Sequence, residues 1–190
     1  MPINALWERF VEDEGCWDCN VKELAPPRPR KIDADRCRKL CQQNLCKCYG
    51  TTWACPPGAG TTGQCQATLK NYRHALALFR RYIVDTKDAD ALREISSRHQ
   101  DIIRGFSNRL RHMGYATLPL ADGGCNYCDF CAYPEPCLHP DQLVPSISAY
   151  GIMLVEYLED QGISFEFEQD AATLYGLILY NEPSELPISK

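Results

Sequence analysis

The chain of 190 residues has no uninterrupted apolar run long enough to cross a bilayer, so a helical membrane span is not expected. Its opening, Met1-Pro-Ile-Asn-Ala-Leu-Trp-Glu-Arg-Phe10, shows neither a basic n-region nor an apolar h-region. No secretory signal is therefore expected, and a cytoplasmic setting with reduced thiols is the default. A Gly-rich phosphate loop, a nucleophile–base pair and carboxylates with a reason to meet are all missing, so no independent catalysis is expected. The most informative absence is of positive charge. From residue 113 to Ser189 there is no Lys or Arg, against twelve Asp and Glu, while Arg28, Arg30, Lys31, Arg36, Arg38, Lys39 and Lys47 crowd one short stretch. The net charge of −5, and the lack of interleaved basic and aromatic residues on any one element, disfavour nucleic acid as a partner. The plain reading of the asymmetry is a solvated dipolar surface. The sharper one is that the basic stretch offsets a negatively charged centre and the acidic half receives a basic protein.

Cysteine is abundant. Twelve cysteines exceed ordinary usage, yet the chain is too long to need a disulfide scaffold. Clustered reduced thiols point to metal. Gly123 to Pro140 carries Cys125, Cys128, Cys131 and Cys137 as C-x2-C-x2-C-x5-C. Two-residue gaps let one tight loop present three thiolates, and a Pro-rich return brings the fourth. The run is similar to the bacterial ferredoxin pattern, with two more residues before the last Cys. Zinc sites more often pair two separated C-x2-C knuckles. One or two [4Fe–4S] clusters are therefore the leading expectation, with zinc as the alternative and disulfides behind it.

The rest divides into residues 1–30, an N-terminal extension with Cys16-x2-Cys19, and residues 31–190, a Cys-rich metal-binding domain. A short helix over Asn4–Glu12 is followed by the Cys16/Cys19 pair, which completes a metal site, forms a redox dithiol or is incidental. Ala25–Arg30 is a stiff extended connector. Asp33 starts a helix to about Gln42 that places Cys37 and Cys41 on one face. Cys46, Cys48, Cys55 and Cys65 follow in a Gly/Thr/Pro-rich segment with too little apolar content to hold itself, so metal binding would supply its stability. Trp53 is either core or a shield over that site. A short helix ending by Tyr72, a buried strand over Ala75–Val84, a helix from Asp88 to Met113 and a strand over Tyr115–Leu120 come next. The long helix has its apolar stripe at Leu92, Ile95, Ile102, Phe106, Leu110 and Met113. His99 falls on that stripe, more simply as a core histidine than as a neighbour of a metal centre. After the second Cys loop, a helix from Ser146 or Ser148 to Asp160, a strand over Ser164–Glu168 and a buried strand over Thr173–Tyr180 are expected, then a loose tail. The fold class is α+β: a single domain with a roughly four-stranded mixed or antiparallel sheet, helices packed on one face, and two Cys-rich metal-binding loops.

Several of these residues together resemble a known family. Cys41-x4-Cys46, Tyr49-Gly50, Trp53-Ala-Cys55-Pro-Pro57, Gly124-Cys125-x2-Cys128-x2-Cys131, Cys137, Pro145-Ser146 and Ala149-Tyr-Gly151 are similar to the predicted metal-binding proteins grouped as domain of unknown function 2284, from about Cys37 to Tyr180. The resemblance implies metal binding, of an iron–sulfur kind, in anaerobic microbes, and no particular reaction. It implies Cys41, Cys46 and Cys55 as a first ligand group with Cys65 as fourth, and Cys125, Cys128, Cys131 and Cys137 as a second. Cys16, Cys19, Cys37 and Cys48 lie outside the pattern. Family members commonly have Arg after the last Cys; here Leu138 and His139 follow, which removes a cation from beside the second group.

The leading function is low-potential electron transfer by an iron–sulfur protein to a partner enzyme, since two nearby centres suit relay and an acidic surround lowers the potential. A structural zinc or interaction module, and a cluster enzyme with an open iron position, are the alternatives.

Overall fold

The computed structural model describes residues 2–165 and 168–185. In chain order it contains α1 (Ile3–Glu14), β1 (Asn20–Leu24), α2 (Lys31–Gln42), α3 (Thr62–Leu69), β2 (His74–Ile83), α4 (Ala89–His112), β3 (Ala116–Ala121), α5 (Leu154–Asp160) and β4 (Ala171–Asn181). The strands form one antiparallel sheet in the order β1-β2-β4-β3, and the molecule is an α+β domain. The long pair β2/β4 sits in the middle, with His74 opposite Tyr180 and Ile83 opposite Ala171.

Alternation along these strands divides the core into two layers. Leu76, Leu78, Ile178 and Tyr180 meet α1 and α4, where Trp7, Phe10 and Phe106 stack with centroids 5.0–5.6 Å apart. Ala75, Ala77, Leu177 and Leu179 point the other way, onto Cys65, Leu69, Ile147, Tyr150 and Leu158. Helices therefore cover both faces, not one, because β2 and β4 are apolar at successive positions and leave no face for water. Asp88 caps α4 by accepting from the N–H groups of Asp90 and Ala91, relieving two of the unpaired amides at that end. Gly176 lets α4 press onto β4: a Cβ there would lie 2.0 Å from Ile103 Cδ1.

Three further expectations change. The fourth strand is β1, whose sequence Asn-Val-Lys-Glu-Leu is polar because it lies at the sheet edge; edge strands carry charge. Ser164, Phe165 and Glu168 belong to no strand, and Glu166 and Phe167 lie outside the described residues. The helix expected from Ser146 or Ser148 to Asp160 is cut to a single turn at Ser148–Tyr150 and to α5. Gly151, at φ +77°, ends the turn, and a Cβ on it would stand 2.5 Å from the Ala34 Cβ. The glycine is required by both conformation and close approach. The opposite sheet edge, β3, contains Pro119, paired with Ile178.

Both Cys-bearing loops leave this scaffold side by side. The 43–61 loop joins α2 to α3, and the 122–147 loop leaves β3; the Ser146 N–H donates to Ala54 O at 2.9 Å and the Ile147 N–H to Ala121 O at 2.9 Å.

Candidate metal centres

The second loop is held from below by α4. Gln100, buried at the middle of that helix, donates from Nε2 to Asp122 O (3.1 Å) and Gly124 O (2.8 Å) and accepts from the Asn126 N–H at 3.3 Å. One turn on, buried Arg104 donates to Gln142 O at 2.9 Å and Asn126 Oδ1 at 3.0 Å, pairs with Asp101, and lies over the Tyr127 ring at 5.0 Å. One guanidinium thus ties both ends of the loop to the helix. It also sets a buried cation under the loop that carries the cysteines. From the other loop, Trp53 Nε1 donates to Glu135 O at 2.8 Å and its ring meets Tyr133 edge-on. Trp53 is half-buried and pins the two loops together.

Within this frame Cys125, Cys128, Cys131 and Cys137 all line one small hollow of about 20 Å³. Their closeness shows in Cys128, whose thiol is pushed up first by lost hydration and then by Cys125, Cys137 and Cys131. Among the described residues, no three His, Cys, Asp or Glu side chains are drawn together tightly enough to hold a metal ion, so the four thiols are gathered without being closed onto a point. Four thiols are soft donors that suit zinc and iron–sulfur clusters alike. Asn126 Nδ2 is buried with no hydrogen-bond partner, and a ligated sulfur is the kind of acceptor such a donor meets around a metal. The residues fit a thiolate-bound metal.

The first group is arranged differently. Cys37, Cys41, Cys46 and Cys55 line a cavity of about 360 Å³ walled by Leu40, Leu45, Tyr49, Ile152 and Leu154. Cys65 is not among its lining residues. It is buried on α3, with its thiol donating to Ala59 O at 3.3 Å and Arg38 nearby. Cys37 points into the cavity against Met153, sulfur to sulfur 3.1 Å, and burial, then Cys41, pushes it up to about 11. The Cys48 thiol donates to Cys46 O at 3.3 Å and the Cys55 thiol faces Gly123 O at 4.0 Å; the nearness of the two sulfurs holds Cys48 down and raises Cys55.

Cys16 and Cys19 are buried in the α1 layer. Loss of hydration raises both, Cys19 to about 12, which marks packed thiols and not a reactive dithiol. His99 is likewise core: burial lowers it to about 4, its Nε2 faces Leu78 O at 3.3 Å and its Nδ1 faces the Tyr82 hydroxyl at 3.4 Å.

Fold and site together define an α+β protein with two adjoining cysteine loops, each facing its own hollow. The chain belongs to the family of predicted metal-binding proteins (DUF2284), whose profile matches residues 29–180. No curated protein and no solved structure matches it. Among the described residues no helix is long and apolar enough to cross a membrane.

Proposed function

We propose that this chain is an iron–sulfur protein that passes single electrons to a partner enzyme, with Cys125, Cys128, Cys131 and Cys137 holding one cluster and the Cys41/Cys46/Cys55 group a second. The observation that carries the reading is the convergence of four cysteines, spaced C-x2-C-x2-C-x5-C, on one hollow. Such clusters exchange one electron at a potential set by ligands, nearby charge, hydrogen bonds and solvent access. The protein's own residues act on each of those. Arg104 offsets part of the thiolate charge from beneath, Asn126 brings an unspent donor, and the Trp53–Tyr133 contact covers the loop from water. The carboxylates of the cation-free half oppose a further negative charge and lower the potential.

A partner surface accompanies this. Phe130 is 90% exposed, Leu138 71% and Tyr127 45%, all on the loop that holds the thiols, with Asp129 and Glu135 exposed between them. An apolar patch with an acidic rim suits a transient partner whose docking face is basic.

Zinc is the second reading, favoured by one observation. A hollow of about 20 Å³ is close to the roughly 10–15 Å³ that a single water requires, and one ion fills it more readily than a cube of eight atoms. Isolation of the full chain without oxygen separates the two. Iron with acid-labile sulfide, a broad brown absorbance and an EPR signal on reduction are the expected result. Colourless protein with stoichiometric zinc and no sulfide overturns the electron-transfer reading.

A further inference from the structure

Two exposed surfaces of this chain complement each other in shape and charge. We propose that they meet between two copies: the chain pairs with itself about a two-fold axis, with Phe130 and Leu138 of each copy seated on the apolar hollow at the other copy's first cysteine loop. The inference goes beyond the electron-transfer reading and does not depend on what the thiols hold.

The receiving surface is the cavity of about 360 Å³ walled by Leu40, Leu45, Tyr49, Ile152 and Leu154. Its wall reaches solvent, since Leu45 is 86% exposed and Leu40 48%. Charge around it is distributed unevenly. Within the basic stretch, Arg30, Lys31 and Arg36 are paired with Asp33, Asp35 and Glu156, while Arg28 and Arg38 donate to the carbonyls of Leu69, Tyr72 and Gly60. Lys39 and Lys47 are exposed and take part in no ion pair among the described residues. One directly precedes Leu40 and the other follows Leu45 by two residues. The unspent cations of the stretch thus accompany its exposed leucines.

The entering surface lies on the second loop, where Phe130 and Leu138 stand out into water. Asp129 directly precedes Phe130, and Glu135 lies three residues before Leu138. Both carboxylates are exposed and free of ion pairs among the described residues. One polypeptide therefore carries an apolar anchor beside carboxylates and an apolar hollow beside ammonium groups. In such a contact the aromatic anchor supplies most of the energy, and the rim charges set register and rate. The two loops lie side by side, tied by the Trp53 Nε1 donor to Glu135 O at 2.8 Å. A two-fold axis between them makes both contacts at once, and such an arrangement closes at two copies instead of growing. A partner enzyme with a basic face then competes with the second copy for Phe130.

The test is sedimentation velocity on the full chain, isolated without oxygen, over a range of protein and salt concentrations. A concentration-dependent dimer is expected, weakening as salt screens the rim. Phe130→Ala is expected to raise its dissociation constant about ten-fold or more. Two charge variants decide the register. Lys39→Glu/Lys47→Glu is acidic on both surfaces and Asp129→Lys/Glu135→Lys is basic on both, so each alone should pair about ten-fold more weakly than the native chain, or worse. Mixed one to one they should regain pairing, because every contact in the mixed pair again joins opposite charges. Recovery also shows that each variant is folded. A native chain that stays monomeric leaves both surfaces to another protein and overturns the inference. So does a dimer indifferent to Phe130→Ala and to the charge changes, or a mixture as weak as its components when each keeps the native far-UV circular dichroism. The mass readout is separate from metal content. A metal-free chain that pairs in this way removes the electron-transfer reading alone, and a brown monomer removes this inference alone.

Discussion

Arg104, with Gln100 one turn before it, holds the second cysteine loop against α4. It is 5% exposed and its donors reach Gln142, Asn126 and Asp101. Arg104→Gln removes the donors from the partly buried Gln142 O and Asn126 Oδ1, while exposed Asp101 returns to water, and is expected to destabilise the fold by about 1–3 kcal/mol, the range for polar groups left short of partners. Arg104→Lys keeps the charge and loses the fork, so it recovers only part of that. Denaturant midpoints of the three chains check the order, and metal retained after gel filtration should fall in the same sequence. In the sequence this role is half legible. Gln100 and Arg104 stand one turn apart, a polar line beside the apolar stripe of α4, and that spacing marks a helix face with something polar to hold. Nothing in it says that the something is the 122–126 backbone. The cysteines show the same limit. Two-residue gaps make Cys125, Cys128 and Cys131 local by geometry, so their convergence is readable. Cys37, Cys48 and Cys65 are separated by a helix and turns whose handedness at Lys47 no spacing rule foretells.

At the level of elements, packing between α4 and β4 depends on a missing side chain. Gly176→Ala would set a Cβ 2.0 Å from Ile103 Cδ1, and the overpacking is expected to destabilise by about 1–3 kcal/mol. Ile103→Ala alone is expected to lose about 2–5 kcal/mol through the cavity it opens. Because the new methyl occupies part of that cavity, Gly176→Ala/Ile103→Ala should lose clearly less than the sum. Thermal and denaturant unfolding of the four chains close the cycle, and strict additivity would mean that the two residues do not meet. The long elements were legible for ordinary reasons. The capped, striped α4 and the apolar runs of β2 and β4 each repeat one signal many times. β1 was missed because Asn20–Leu24 has two apolar residues in five and takes its order from pairing with β2. The helix over 146–160 is shorter than its apolar spacing implies because Gly151, in left-handed backbone, ends the turn before it.

On the scale of the whole molecule, the family profile begins at residue 29, yet the preceding residues build much of one core layer. Trp7 and Phe10 pack on Phe106, and β1 covers the outer edge of β2. Fully burying one such side chain is worth about 1.5–3 kcal/mol, comparable in sum to the entire stability of a small domain. A chain lacking residues 1–28 is therefore expected to lose its cooperative thermal transition and its soluble yield, even though every cysteine from 37 onward remains. Far-UV circular dichroism on heating reads this directly, and a sharp transition within a few degrees of the full chain's would contradict it. The borders of the sheet carry one more consequence. Pro119 has no N–H to offer on β3, and β1 presents Asn20, Lys22 and Glu23 on a short, charged rim. Neither flank makes a good template for another chain's backbone, so concentrated solutions should resist fibre growth, and whatever assemblies this protein joins should form through side chains instead of by lengthening its ribbon.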